Sequence, residues 1–199
     1  MICMTKDYIE QEIKVEVENS QQFLSLLIEK KAKKKGEGFQ RTIRMDTPDH
    51  CLEKQGTFLR VRTGNKNIVT LKKKIKTDGD VFERRELETE VKDPELLADI
   101  FTNLGFTKRF IMEKYRIDYE YKNTKISLDE LPFGVFVEIE GEPADIKNVG
   151  NELNLDLSNK IVVTYWDLFE KYKKKTNLKG ENIVFPLNHN FFLSTTKGT

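Results

Sequence analysis

Residues 8–18 read Tyr8-Ile9-Glu10-Gln11-Glu12-Ile13-Lys14-Val15-Glu16-Val17-Glu18. Side chains along a strand alternate between two faces. Glu10, Glu12, Lys14, Glu16 and Glu18 therefore share one face, while Ile9, Ile13, Val15 and Val17 share the other. The same two-faced pattern recurs along the chain. It appears in Thr57–Thr63 with Arg60 and Arg62, in Ile68–Lys76 with Lys72 and Lys74, and in Phe82–Val91 with Arg84, Glu86, Glu88 and Glu90. Ile111–Tyr121 carries Lys114, Arg116, Asp118 and Glu120 on one face, Thr124–Leu131 carries Lys125, Ser127 and Asp129, and Gly134–Glu140 carries Glu138 and Glu140. With a weaker candidate at Phe39–Met45, which ends at the turn Asp46-Thr47-Pro48-Asp49, eight strands are expected.

Between them lie four helical patterns. Ser20–Lys31 places Phe23, Leu24, Leu27 and Ile28 on one stripe, with Ser20 as the expected N-cap. Pro94–Leu104 follows Asp93 and stops at Gly105. Asp145–Leu155, interrupted by Gly150, and Thr164–Lys175 complete the set.

Charged outer faces are normal for an antiparallel sheet. Here, however, inward-pointing apolar faces would leave four amphipathic helices without an apolar surface to cover. If the apolar faces point outward to the helices, the charged faces must share a lumen. The expected fold class is therefore α+β, an eight-stranded antiparallel β-barrel with helices packed outside. Eight strands leave room for one small ligand. A lumen lined with charge is tolerable when cations and anions neutralise each other, a metal or a ligand. Clustered Arg and Lys match a polyphosphate, and clustered carboxylates match its divalent metal.

Composition narrows the partners. The chain has 199 residues, and 34 Lys and Arg against 33 Asp and Glu leave a formal charge of +1. That near-neutrality argues against a nucleic-acid partner. No apolar run approaches the ~18 residues of a membrane span, and Met1–Glu10 lacks the apolar stretch of a signal peptide. A cytoplasmic protein with no membrane partner is expected. Cys3 and Cys51 offer no disulfide framework, and His50 and His189 are too few for a His-rich zinc site. Any metal must be held by carboxylates, which favours Mg2+, Mn2+ or Ca2+. Residues 1–175 form the expected domain. The tail 176–199 has no clear period and receives no function, although Ile183-Val184-Phe185 and Phe191-Phe192-Leu193 could dock on the body.

The Glu10-Gln11-Glu12-Ile13-Lys14 run, an ExExK pattern, begins an ordered series. It continues with Asp46-Thr47-Pro48, Leu52, Gly56, Leu59-Arg60-Val61-Arg62, Thr70-Leu71-Lys72 and Arg84-Arg85-Glu86-Leu87-Glu88. Leu104-Gly105-Phe106, Glu113-Lys114-Tyr115-Arg116, Leu128-Asp129-Glu130-Leu131 and Gly134 with Val137-Glu138-Ile139-Glu140 complete it. Over residues 8–172 the series resembles the CYTH superfamily, the triphosphate tunnel metalloenzymes. The resemblance implies an enzyme acting on a small-molecule triphosphate with Mg2+ or Mn2+ as cofactor. It also implies Glu10, Glu12, Glu138, Glu140 and Asp129 as metal ligands. Lys14, Arg60, Arg62, Lys72, Lys74, Arg84, Lys114 and Arg116 would bind the phosphates, with Lys14, Arg62 and Lys114 closest to catalysis. Glu86 and Glu88 would orient that clamp, and a homodimer is possible.

The segments Leu52–Arg62 and Glu113–Gly141 are most similar to the branch holding class IV adenylate cyclases and thiamine triphosphatases, with the cyclase group preferred. A triphosphatase using thiamine triphosphate, nucleoside triphosphate or inorganic tripolyphosphate is the alternative. A polyphosphate-binding module without turnover and a filled, salt-bridged barrel are the remaining readings. The family often carries an aromatic residue just before its Asp-Thr-Pro turn, whereas this chain has Thr42-Ile43-Arg44-Met45. Arg44 is expected to face solvent.

Overall fold

The computed structural model describes residues 8–75 and 82–193. In chain order the elements are β1 (Tyr8–Glu16), α1 (Ser20–Glu29), β2 (Lys33–Asp46), α2 (Cys51–Lys54), β3 (Thr57–Thr63), β4 (Ile68–Lys74) and β5 (Phe82–Glu90). They continue with α3 (Pro94–Asn103), β6 (Thr107–Tyr121), β7 (Thr124–Leu131), β8 (Gly134–Glu140), α4 (Pro143–Glu152), a 3-10 turn at Leu157–Asn159, and α5 (Tyr165–Thr176). The strands close into a ring in the order β1-β5-β4-β3-β2-β6-β7-β8, and every pairing is antiparallel.

The apolar faces do point outward. Ile13, Tyr115, Ile117, Tyr119, Ile126, Leu128, Val137 and Ile139 pack against Phe23, Leu24 and Leu27 of α1 and Ile146, Val149 and Leu153 of α4. A second cluster forms where α5 meets the barrel, uniting Phe110, Met112, Leu131 and Phe136 with Tyr165, Phe169 and Ile183. Removal of this apolar area from water drives the helices onto the ring.

Several boundaries differ from the sequence reading, each for a local reason. Asn19 rather than Ser20 caps α1, because its side chain accepts from the Gln22 amide at 2.9 Å. β2 starts at Lys33, well before Phe39. Its first half carries Lys33–Lys35, Gly36 and Gly38 and has no apolar alternation, yet it pairs with β6 from Lys33 opposite Glu120 to Asp46 opposite Thr107. Gly150 does not interrupt α4. A Cβ there would lie 2.7 Å from Leu157 Cδ2, so the glycine permits a close approach to the following turn. The expected end of β4 at Lys76 lies outside the described residues.

The Asp-Thr-Pro turn has a structural task. Buried Asp46 accepts from the backbone amides of Thr47, Leu52 and Glu53, and so holds the single turn of α2 against the end of β2. Past α5 the chain folds back on the barrel. Ile183 bridges to Met112, and Leu193 donates its amide to buried Glu130 at 2.9 Å. Phe191 stacks on Tyr115 at 5.1 Å between ring centroids.

Candidate active site

Cross-strand neighbours share a face, so the register decides which charges meet. Lys14 lies opposite Glu138, Glu12 opposite Glu140, Glu10 opposite Arg84, Lys72 opposite Glu86, and Arg116 opposite Asp129. Their shared space is a cavity of about 920 Å3. Among the described residues eight cations line it, Lys14, Arg60, Arg62, Lys72, Arg84, Lys114, Arg116 and Lys125, against six carboxylates, Glu10, Glu12, Glu86, Glu88, Glu138 and Glu140. The excess is cationic, as an anionic guest requires. Of the residues expected to bind phosphate, only Lys74 falls outside the lining: it has the right parity but sits exposed at the end of β4.

Ion pairs hold the lumen in order. Lys14 contacts Glu12 at 2.5 Å and Glu138 at 3.2 Å. Burial works against the Lys14 charge, but Glu12 and Glu138 outweigh it and hold the ammonium above its ordinary range. Lys72 pairs with Glu10 and, at 3.0 Å, with Glu86. Arg60 donates to Thr70 at 3.2 Å and lies 3.7 Å from Glu86, while the Thr70 hydroxyl donates to Glu88 at 3.1 Å. Glu86 thus lies beside Arg60 and Lys72, and Glu88 beside Thr70.

Asp129 is the hub on the opposite wall. It is fully buried and accepts two hydrogen bonds from Arg116, one from Lys114 at 3.0 Å and one from the Tyr165 hydroxyl at 2.8 Å. Burial would raise its carboxyl, but Arg116 and Lys114 bring it below the usual range. Glu138 is likewise held well below that range by Lys14 and Arg116, against the effect of burial. Lys114 goes the other way. Burial and then Arg116 push its ammonium down to about 8, and Asp129 recovers only part of that. Burial, Arg60 and Arg116 also lower Arg62, to about 10. Its Nε has no hydrogen-bond partner among the described residues.

The carboxylates expected to hold metal form a neighbourhood rather than a finished ligand set. Among the described residues no three Asp, Glu, His or Cys side chains converge as a metal site. Glu10, Glu12 and Glu138 are engaged by lysines, and Glu140 by Lys125 at 3.3 Å. Yet Glu140 is raised by burial and by Glu10 and Glu12, against the pull of Lys125. A cation among these oxygen donors would relieve that repulsion, so the residues fit a hard divalent ion that draws them from their lysines. Asp129 does not line the cavity, and its donors are Arg116, Lys114 and Tyr165.

Arg44 is a correction. The register sets it opposite Arg60, on the lumen parity, and only 8% of it is exposed. Its guanidinium lies 4.9 Å from the Phe58 ring centroid and 5.6 Å from that of Phe110, and its nearest carboxylate is Glu53 of α2 at 3.5 Å. Residues that the sequence reading missed also line the cavity. Phe58, Phe110 and Met112 share the face of the charged residues on their strands, a parity already visible in the sequence. Thr164, Tyr165 and Trp166 come from the start of α5, and no local pattern announces them.

A family model described as the CYTH domain matches residues 8–165. The chain belongs to the CYTH family. A curated relative from Methanocaldococcus jannaschii, named "Putative adenylate cyclase", is 29% identical over 139 residues, covering 69% of this chain and 79% of its own. Among solved CYTH-like folds, a structure named "putative adenylate cyclase" from Vibrio parahaemolyticus superposes with a TM-score of 0.73 at 18% identity. That match covers 83% of this chain and 99% of the other. A Hippeastrum protein superposes with a TM-score of 0.63 at 19% identity, covering 92% of this chain and 99% of its own. Its structure is described as a "putative adenylyl cyclase" that reveals a dominant triphosphatase activity. At these identities the two structures establish the fold alone. Among the described residues of this CYTH chain no helix is long and apolar enough to cross a membrane.

Proposed function

We propose that the chain is a metal-dependent enzyme that binds a triphosphate-bearing small molecule in the lumen, most like a class IV adenylate cyclase converting ATP to cyclic AMP and pyrophosphate. The observation that carries this reading is the cation-rich lumen, in which Arg62 Nε lacks a hydrogen-bond partner among the described residues and burial pushes the Lys114 ammonium down to about 8. Such groups gain most from a polyanion.

Phosphoryl and nucleotidyl transfer require mainly positioning and charge neutralisation. Arg60, Arg62 and Arg116 offer forked donors to phosphate oxygens, and Lys14, Lys72 and Lys114 offer point charges. A divalent ion held by Glu10, Glu12, Glu138 and Glu140 would supply Lewis-acid neutralisation of the phosphates. Lys114, near 8, is placed to give or take a proton around neutral pH. Neither His nor Cys lines the cavity among the described residues, which favours direct displacement over a covalent enzyme intermediate.

Hydrolysis by water at the terminal phosphorus is a second reading, favoured by the activity in the description of the Hippeastrum structure. Incubation with ATP, thiamine triphosphate or tripolyphosphate plus Mg2+ or Mn2+, with separation of cyclic AMP, pyrophosphate and phosphate, distinguishes the two. Cyclic AMP with pyrophosphate supports the cyclase, and phosphate alone supports the triphosphatase. No product from any substrate overturns both readings.

A further inference from the structure

The segment 182–193 runs over the outside of the barrel behind β6 and β7, and none of it lines the cavity. It lies past residue 165, where the match to the family model ends. The β6–β7 ladder runs from Tyr121 opposite Thr124 to Tyr115 opposite Glu130. Lys114 therefore stands one residue beyond the last position of β6 that β7 holds. From there the segment 182–193 takes over the edge of β6, since backbone groups left by one partner must find another. Asn182 Oδ1 accepts from the Ile111 amide at 2.8 Å, the Ile183 amide donates to the Ile111 carbonyl at 2.9 Å, and the Glu113 amide donates to the Ile183 carbonyl at 2.7 Å.

Two carboxylates fasten this strap. Glu113 and Glu130 share the outer parity of Tyr115, Ile117 and Leu128, and both are buried there, where an unpartnered carboxylate is costly. Glu113 accepts from the Phe185 amide at 3.0 Å and from Arg41. Glu130 accepts from the Leu193 amide at 2.9 Å and lies 2.8 Å from His189 Nε2. An ionised carboxylate only accepts, so His189 Nε2 is the donor in that contact. Phe191 stacks on Tyr115, the residue opposite Glu130, and meets Phe185 edge-on at 5.0 Å.

We infer that Glu113, Glu130 and His189 are positioning residues: by anchoring the strap they hold Lys114 against Asp129 from outside the barrel, at the place where β7 no longer does. Glu113 directly precedes Lys114 and Glu130 directly follows Asp129, and neighbours along a strand point to opposite faces. The strap therefore grips both backbones immediately behind the 3.0 Å contact between Lys114 and Asp129. A lysine past the end of its ladder moves with its strand, and a displacement of about 1 Å is enough to spoil an oriented contact. The inference rests on the triphosphate reading above and gives the tail a part in the same site.

The test measures the dissociation constant of tripolyphosphate by calorimetry in excess chelator, on full-length variants, beside their melting temperatures. His189→Ala and Phe191→Ala touch no lumen residue, yet each should weaken binding roughly fivefold, and either serves if the other fails to fold. His189→Gln keeps an N–H at the same reach and should bind nearly as the wild type does. Val149→Ala removes apolar volume from the outer cluster under α4 and makes none of the strap's hydrogen bonds. It should lower the melting temperature and leave the dissociation constant unchanged. A double-mutant cycle tests the route: combined with Lys114→Met, His189→Ala should weaken binding by less than about twofold further. Unaltered affinity in both strap variants overturns the inference, as does equal weakening in Val149→Ala. So does a His189→Ala loss of full size in the Lys114→Met background, which would make the strap a general stabiliser. A wild type that binds no tripolyphosphate overturns the triphosphate reading and this inference with it.

Discussion

The Tyr165 hydroxyl donates to Asp129 Oδ2 at 2.8 Å and thereby ties the first turn of α5 to the carboxylate that also holds Lys114 and Arg116. Burial, and next Asp129, hold the Tyr165 phenol well above its ordinary range. It therefore remains a donor at every pH where the protein is studied.

Tyr165→Phe should cost about 1–2 kcal/mol, the usual effect of removing one partner from a buried hydrogen-bonded group. It should also weaken tripolyphosphate binding severalfold by loosening the clamp. The difference in melting temperature from wild type should stay constant between pH 5 and 7, where neither partner titrates and Lys114, which shares Asp129, keeps its proton. A difference that vanishes within that range would mean that the bond does not persist.

Lys114 gives a pH signature. Its ammonium falls from 10.5 to about 8 on folding, so the unfolded chain binds more protons than the native one between those values. The burial cost is fully present below pH 8 and is relieved as pH rises through 8 towards 10.5, an effect of roughly 3 kcal/mol. Stability of the wild type relative to Lys114→Met should therefore improve over that interval in chemical denaturation. Tripolyphosphate should restore the proton. Its binding at pH 8.5 should take up protons, as measured by calorimetry in buffers of different ionisation enthalpy, and Lys114→Met should abolish the uptake.

Arg62 and Arg116 should respond oppositely to removal. Arg116→Met takes from fully buried Asp129 two of its four hydrogen bonds and leaves Oδ1 without its donor, and should cost on the order of 3–5 kcal/mol. Arg62 lies among other cations and its Nε has no hydrogen-bond partner among the described residues, so Arg62→Met should leave the ligand-free melting temperature unchanged or higher. Both variants should lose the stabilisation by tripolyphosphate, which in wild type is about 2.7 kcal/mol at 100 times the dissociation constant. Equal destabilisation of the two ligand-free variants would contradict the ion-pair assignment.

Glu140 reports on the divalent ion. Its carboxyl is raised by burial and by Glu10 and Glu12, so its contribution to stability is fully present below the unfolded value of 4.5 and is lost as pH rises through the folded one. At pH 7 Glu140→Gln should raise the metal-free melting temperature and reduce the further rise caused by Mn2+. An undiminished Mn2+ shift in Glu140→Gln, or none in wild type, would remove Glu140 from the ion's neighbourhood.

The parity of charged faces was legible wherever a strand alternates without interruption. Glu10, Glu12 and Lys14, Arg60 and Arg62, and Glu138 and Glu140 all reach the lumen that their spacing implies. Parity alone does not say how far along a strand the lumen extends, so Lys74 shares the face of Lys72 yet ends outside. Nor does it reveal partners from other elements. Arg44 is buried because the register brings Phe58 and Phe110 to it, while the four-residue stretch around it reads as one charge in a mixed strand. Tyr165 and Trp166 belong to a helix whose local sequence shows only an amphipathic stripe and a cap. Their contacts with Asp129 and Phe110 arise from the docking of α5.

The closed ring has a consequence for how the chain reaches its native state. β1 precedes the other described strands in the chain, yet its neighbours are β5 and β8, where Lys14 lies opposite Glu138. No early fragment of the chain can satisfy both edges of that strand. During synthesis the earliest strand must stay unpaired on one side until β8 has emerged, and closure then depends on contacts between distant parts of the sequence, which are slow to form. Refolding should accordingly show its slow step at the β1–β8 seam, and variants there should retard folding more than variants in the β6–β7 hairpin.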